Sequence, residues 1–266
     1  MISSDFRAEA RRKLDGKWGK VALTILAYLA VFFLLGFVQG LFEENSYMHS
    51  LVSLGTTVIQ IPLTFGLIIS LFKVYKGEAS DAFSFFSLGF SNFGKAWGIT
   101  FKIFVKLIVP IILMVVSYVM LAYVIISTFA VSLFTFTAQT TSSLALSAVT
   151  GGNMVILVVG FILLVVSEIL LITQSYYYKL AYVVAADDES LTAKDAVEKS
   201  KELMNGKRGK LFCLELSFIG WAILASLTFG IGYLWLLPYI QFATFAFYFF
   251  VSGKDVNTVE TQKVSE

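Results

Sequence analysis

The chain has 266 residues, of which 58% are hydrophobic, 16% aromatic and only 14% charged. Soluble domains carry roughly 25% charged residues, so this composition, with a mean hydropathy of +0.81, excludes an ordinary water-facing fold. A net charge of +2 is too small to recruit nucleic acid, while a single Cys213 and a single His49 exclude intrachain disulfides and the usual cysteine or multi-histidine metal sites.

The first 20 residues hold Arg7, Arg11, Arg12, Lys13, Lys17 and Lys20, with Phe6, Ala10, Leu14 and Trp18 recurring every four residues. That spacing predicts a basic amphipathic helix. An apolar run over Val21–Phe42 follows. It exceeds a typical signal-peptide core and its basic leader is long, so it reads as an uncleaved membrane anchor.

Further uncharged runs of about 20 residues, enough to cross a hydrocarbon core, lie at Val52–Phe72, Leu107–Thr128, Val155–Tyr176, Leu211–Phe229 and Tyr233–Val251. Between them, 77–98 and 187–210 are expected as interfacial helices, and 252–266 as a tail. The Ser/Thr-rich stretch Phe129–Asn153 is expected as a loose loop at the headgroups, with a re-entrant segment or a lid as the alternative. The whole chain, 1–266, is read as one all-α membrane domain of six spans.

Charge placement supports that count. All 20 Lys and Arg fall before the first span, between the second and third, between the fourth and fifth, or after the sixth. The opposite connections carry none. By the positive-inside rule both termini are then cytoplasmic.

Three of these inner segments look alike where they meet the membrane: Lys17-Trp18-Gly19-Lys20, Asn92-Phe93-Gly94-Lys95 and Lys207-Arg208-Gly209-Lys210. The fold is therefore expected as three repeats, each an interfacial helix followed by a transmembrane hairpin. The middle helix is expected to use Ala82, Phe83, Phe86, Phe90 and Phe93 as its apolar stripe. The third is expected to use Ala193, Ala196, Val197, Ser200 and Met204, behind a Thr192-x-x-Asp195 capping box. Arg7, Arg11, Arg12, Lys13, Lys207, Arg208 and Lys210 would face anionic lipid.

Chemistry is sparse. Glu168 is the one ionisable residue plainly deep in a span, and such residues are costly in lipid. It lies eleven residues from Lys179, as Lys106 lies eleven from Lys95, about 16 Å at helical rise. A Glu168–Lys106 ion pair, with Lys102 one turn below, is the expected intramembrane polar site, either structural or linked to transport. Glu215 is expected to pair with inner lysines. Gly89-Phe90-Ser91-Asn92-Phe93 lacks the final glycine of a nucleophile elbow. No catalytic residue, metal ligand or cofactor is therefore assigned, and the chain is not expected to be an enzyme.

The run Ser200-Lys201-Glu202-Leu203-Met204-Asn205-Gly206, then Leu216-Ser217-Phe218-Ile219-Gly220-Trp221, Gly230-Ile231-Gly232, Leu234-Trp235 and Pro238-Tyr239 resembles the bacterial membrane family catalogued as domain of unknown function number 975. Arg7-x-x-x-Arg11 with Leu14, Gly16 and Trp18 fits as well. The resemblance implies a polytopic plasma-membrane protein of Firmicutes and brings no activity. The expected role is a non-catalytic envelope scaffold or accessory protein, in tolerance or sensing of antimicrobial peptides, with a membrane protein as partner. A small transporter using Glu168 is the alternative.

Overall fold

The computed structural model describes residues 2–44, 46–138 and 143–254; the expected tail lies outside them from residue 255 onward. Among the described residues all regular structure is helical. In chain order the helices are α1 (Ser3–Leu14), α2 (Trp18–Gly40), α3 (Tyr47–Tyr75), α4 (Ser84–Ser91), α5 (Phe93–Ala138) and α6 (Ser143–Tyr178). Then come α7 (Ala181–Asp187), α8 (Ala193–Met204), α9 (Arg208–Leu216), α10 (Ile219–Leu227) and α11 (Tyr233–Ser252). Six stretches are long and apolar enough to cross a membrane: α2, α3, α5, α6 running on into α7, α9 with α10, and α11. Each overlaps one of the six expected spans, the first and fifth ending at Gly40 and Leu227, two residues short of the expected ends. Helices suit this setting because they satisfy the backbone internally where no water can.

The single expected domain resolves into two compact units. One comprises 1–102 and 177–266, the other 103–176.

The first unit is built around α11. Two-thirds of its apolar span is buried, against 33% or less for the other five. Residues Phe242–Phe249 are buried without a break, as expected of a helix apolar on every side. Phe6 of α1 meets Phe247 and Phe250 edge-on at 5.5 and 5.4 Å, and Phe72 and Tyr75 of α3 stack on Phe249 at 5.8 and 5.6 Å. Burial is confined to one end of the neighbouring helices. The buried residues of α2 all lie from Val21 to Ala27, and those of α3 all lie from Pro62 onward. That is the Lys/Arg-rich end; beyond it the large apolar side chains, such as Phe33, Leu34 and Leu54, are exposed.

The amphipathic stripes of α1 and α8 come out as expected. Phe6, Ala10 and Leu14 are buried, as are Ala196, Val197, Ser200 and Met204. Thr192 and Asp195 form the capping box, and the Thr192 hydroxyl, donating at 2.6 Å, holds the Asp195 carboxyl below its usual value. The middle stripe is not the face that packs on protein. Phe83, Phe86, Phe90 and Phe93 are exposed, and Phe85 and Gly89 are the packed residues of α4. The reason is a backbone contact: a Cβ on Gly66 would sit 2.1 Å from the Phe85 carbonyl oxygen, and one on Gly89 would sit 2.5 Å from that of Pro62. Only glycine at both positions lets α3 and α4 approach this closely.

Two of the three expected repeats share an atomic device. Leu14–Lys17 and Met204–Lys207 are both type II turns: Asp15 and Asn205 have φ/ψ of −57/132 and −63/125, and Gly16 and Gly206 both have φ +70. The Lys17 and Lys207 amides close them onto Leu14 and Met204 at 2.8 and 3.1 Å. Each lysine then donates its ammonium to the end of the returning helix, Lys17 to the Val74 carbonyl at 3.1 Å and Lys207 to that of Val251 at 3.4 Å. The middle copy has no such turn: Asn92, with φ −107 and ψ 21, leads straight from α4 into α5. The fifth span is broken at Ser217, whose hydroxyl donates to Leu214 at 2.6 Å and whose carbonyl accepts from Arg7 at 3.5 Å.

The second unit is an antiparallel pair, α5 from Ile103 and α6 to Tyr176. The expected loose loop Phe129–Asn153 is helical on both sides of 139–142, and those four residues lie outside the described ones. Two hydrogen bonds fix the described ends of this stretch, one within α5 and one across the pair. Ser132 donates to the Thr128 carbonyl at 2.8 Å, and Ser127 donates to the Asn153 side-chain oxygen at 3.2 Å. Hydroxyls that can back-bond to the preceding turn remain compatible with helix.

Candidate functional site

The α5–α6 register decides the expected intramembrane site. Ser127 meets Asn153, and a Cβ on Gly160 would touch Met120 and Leu121 at 3.3–3.6 Å. Facing residue numbers thus add to about 280, which sets Glu168 level with Ile112 and Lys106 level with Gln174. The pair is out of register by about six residues, or ~9 Å along the helix. Glu168 is half-buried, Lys102 and Lys106 are exposed, and among the described residues no ion pair joins Glu168 to Lys106. Lys95 misplaced the register because α5 starts at Phe93 and runs 46 residues without a break, about 69 Å. A lysine near its start does not mark where lipid begins. Crosslinking tests this directly: Ser127→Cys with Asn153→Cys, in a Cys213→Ser background, should oxidise to a disulfide, and Lys106→Cys with Glu168→Cys should not.

The basic residues expected to face lipid turn largely toward protein. Besides holding the Ser217 carbonyl, Arg7 has its Nε buried without an acceptor. Lys13 lies 5.8 Å over the Tyr75 ring, Arg208 4.0 Å over Tyr177 and Lys210 5.2 Å over Phe250. With the Lys207 clasp, these are helix-end and ring-face contacts. Arg12 pairs with Glu9 at the surface, and Arg11 is exposed. Glu215 does pair with an inner lysine, Lys179, at 3.0 Å.

Two features of the first unit were not anticipated from sequence. The first is a buried carboxylate. Asp187, whose side chain is 5% exposed, accepts from Lys76 at 2.7 Å and from the Tyr248 hydroxyl at 2.8 Å, and pairs with Lys254. It joins the ends of α3, α7 and α11 at one point. Two ammonium groups and a phenol supply the donors that a carboxylate removed from water requires. No motif marks it, because Asp187-Asp188-Glu189 reads as an ordinary solvated acidic turn.

The second is an apolar cavity of about 400 Å³. Trp221, Leu224 and Ala225 of α10, with the capping Thr228 just past its end, line it at spacing i, i+3, i+4 and i+7. Gly232, Trp235, Leu236 and Tyr239 repeat that spacing on α11. A Cβ on Gly232 would lie 2.8 Å from the Ala225 Cα, so the hairpin is closed at its turn. Arg11 and Trp18 supply the rest of the lining, and Trp18 meets Tyr239 at 6.3 Å. Chemically, the unit combines a charge-locked helix junction with an apolar slot edged by one arginine.

A family model described as a protein of unknown function (DUF975) matches residues 1–255, and the chain belongs to that family. No curated protein and no solved structure matches it.

Proposed function

We propose that this DUF975 member is a non-catalytic scaffold or accessory subunit of the cell membrane, with both termini in the cytoplasm. It would act in envelope maintenance, including tolerance or sensing of membrane-active peptides. One observation carries the reading: charged groups of the first unit are used to fasten helix ends. Lys17 and Lys207 clasp the ends of α3 and α11, and Asp187 fastens Lys76, Lys254 and Tyr248. A carrier would be expected to gather ionisable groups within its spans, whereas Glu168 and Lys106 are out of register. The distribution of Lys and Arg supports the orientation.

The test is purification in native-lipid nanodiscs, followed by mass spectrometry of what is retained. A stoichiometric membrane-protein partner, lost when exposed Arg12, Lys194 and Lys201 are changed to Gln, is the expected result. Small-molecule flux in proteoliposomes, abolished by Glu168→Gln and with no partner retained, would overturn the reading in favour of a transporter.

A further inference from the structure

The cavity between α10 and α11 has a one-sided polar character. Three of the chain's four tryptophans, Trp18, Trp221 and Trp235, line it. Among the described residues, none of their indole N–H groups has a protein acceptor. Trp97, the fourth, lies elsewhere and donates to the Val58 carbonyl at 3.2 Å. The Tyr239 hydroxyl and the Arg11 guanidinium likewise have no protein partner, although Arg12, the next residue, is paired with Glu9. The Thr228 hydroxyl is already committed, donating to the Ala225 carbonyl at 2.7 Å and accepting from the Gly232 amide at 2.8 Å. No acidic side chain is in the lining. The slot thus presents donors, one full positive charge and apolar walls.

Trp221 and Trp235 are half-exposed at the slot, so their N–H groups are open to an acceptor on whatever molecule covers it. Guanidinium binds phosphate through paired, charge-assisted hydrogen bonds. The occupant that complements this lining is an amphiphile with an apolar tail, several acceptor oxygens and a negative head. The volume falls in the range of small-molecule sites, about 300–1,000 Å³. Seven residues of each helix give the slot a length of roughly 10 Å at 1.5 Å per residue, which suits a tail rather than a compact ligand.

We propose that this cavity holds part of one acyl chain of an anionic phospholipid, with the lipid phosphate on Arg11 and its ester oxygens within reach of the indole donors. This does not rest on the scaffold reading, since a specific lipid can be held whatever partner the protein has.

The test uses the three cavity indoles as reporters, in a Trp97→Phe background, with the full chain in phosphatidylcholine nanodiscs. Phosphatidylglycerol or phosphatidylcholine with brominated acyl chains is titrated in, because bromine quenches indole fluorescence on contact. Half-maximal quenching should come at about tenfold lower mole fraction for the anionic lipid, a preference of the size one charge-assisted contact supplies. Arg11→Gln should bring the two lipids to the same midpoint, whereas Arg11→Lys and Arg12→Gln should keep the preference. Equal quenching by both lipids in the protein with native Arg11 would overturn the proposal, leaving only general contact with surrounding lipid. A preference that survives Arg11→Gln would overturn it too. If Arg11→Gln fails to fold, the comparison of headgroups with Arg11 in place decides.

Discussion

Gly66→Ala should destabilise the protein by about 3 kcal/mol or more, at the upper end of what overpacking costs. The new methyl would lie 2.1 Å from the Phe85 carbonyl oxygen and 2.5 Å from the Gly89 amide nitrogen. Both are backbone atoms, so no rotamer change can relieve the clash and α4 must lift from α3. Gly55, on the same helix, has nothing within 4 Å of its would-be Cβ. Gly55→Ala should therefore be neutral or gain roughly 0.5–1 kcal/mol from reduced backbone entropy. Thermal unfolding of both variants in detergent checks the contrast. Equal melting temperatures would mean the two helices are not in backbone contact.

Asp187→Ala should have a comparable effect, about 3–5 kcal/mol, the usual cost of removing one partner of a buried ion pair. It leaves the Lys76 ammonium, on a side chain only 14% exposed, without a counter-charge, and the Tyr248 hydroxyl without its acceptor. Lys254→Met should cost far less, roughly 0–1 kcal/mol, because that side chain is 43% exposed and water screens its charge. The discriminating variant is Asp187→Leu combined with Lys76→Met. Replacing both charges by apolar groups should recover much of the loss. If the double variant is as unstable as Asp187→Ala, the cluster stabilises through something other than charge balance.

The parts legible in the sequence were those written as long patterns. Twenty-residue apolar runs could only be buried in lipid or protein, so all six spans came out in place. The stripes of α1 and α8 were legible for the same reason, each being a complete helical face with polar residues opposite. The packed face of α4 was not, because hydrophobicity pointed at Phe83, Phe86 and Phe90, while the contact is made where side chains are smallest, at Gly66 and Gly89. The α5–α6 register failed because a lysine was taken as a depth marker on a helix much longer than a bilayer is thick. Asp187 was hidden by two acidic neighbours that share its charge and not its contacts with Lys76, Lys254 and Tyr248. The cavity faces of α10 and α11 were present as i, i+3, i+4, i+7 sets. A merely packed helix face shows the same spacing, and their missing hydrogen-bond partners can be seen only in three dimensions.

The burial of α11 bears on how the molecule is made. Of the described helices it is the last to leave the ribosome, yet Phe6 of the first and Phe72 and Tyr75 of the third pack on it. The Lys17 clasp can close as soon as Val74 has been synthesised; the Lys207 clasp must wait for Val251. Until then Phe6 of α1 and Phe72 and Tyr75 of α3 lack the aromatic partners that α11 supplies. A nascent chain halted before Tyr233 would leave these rings uncovered, so the first unit is completed only by its last helix.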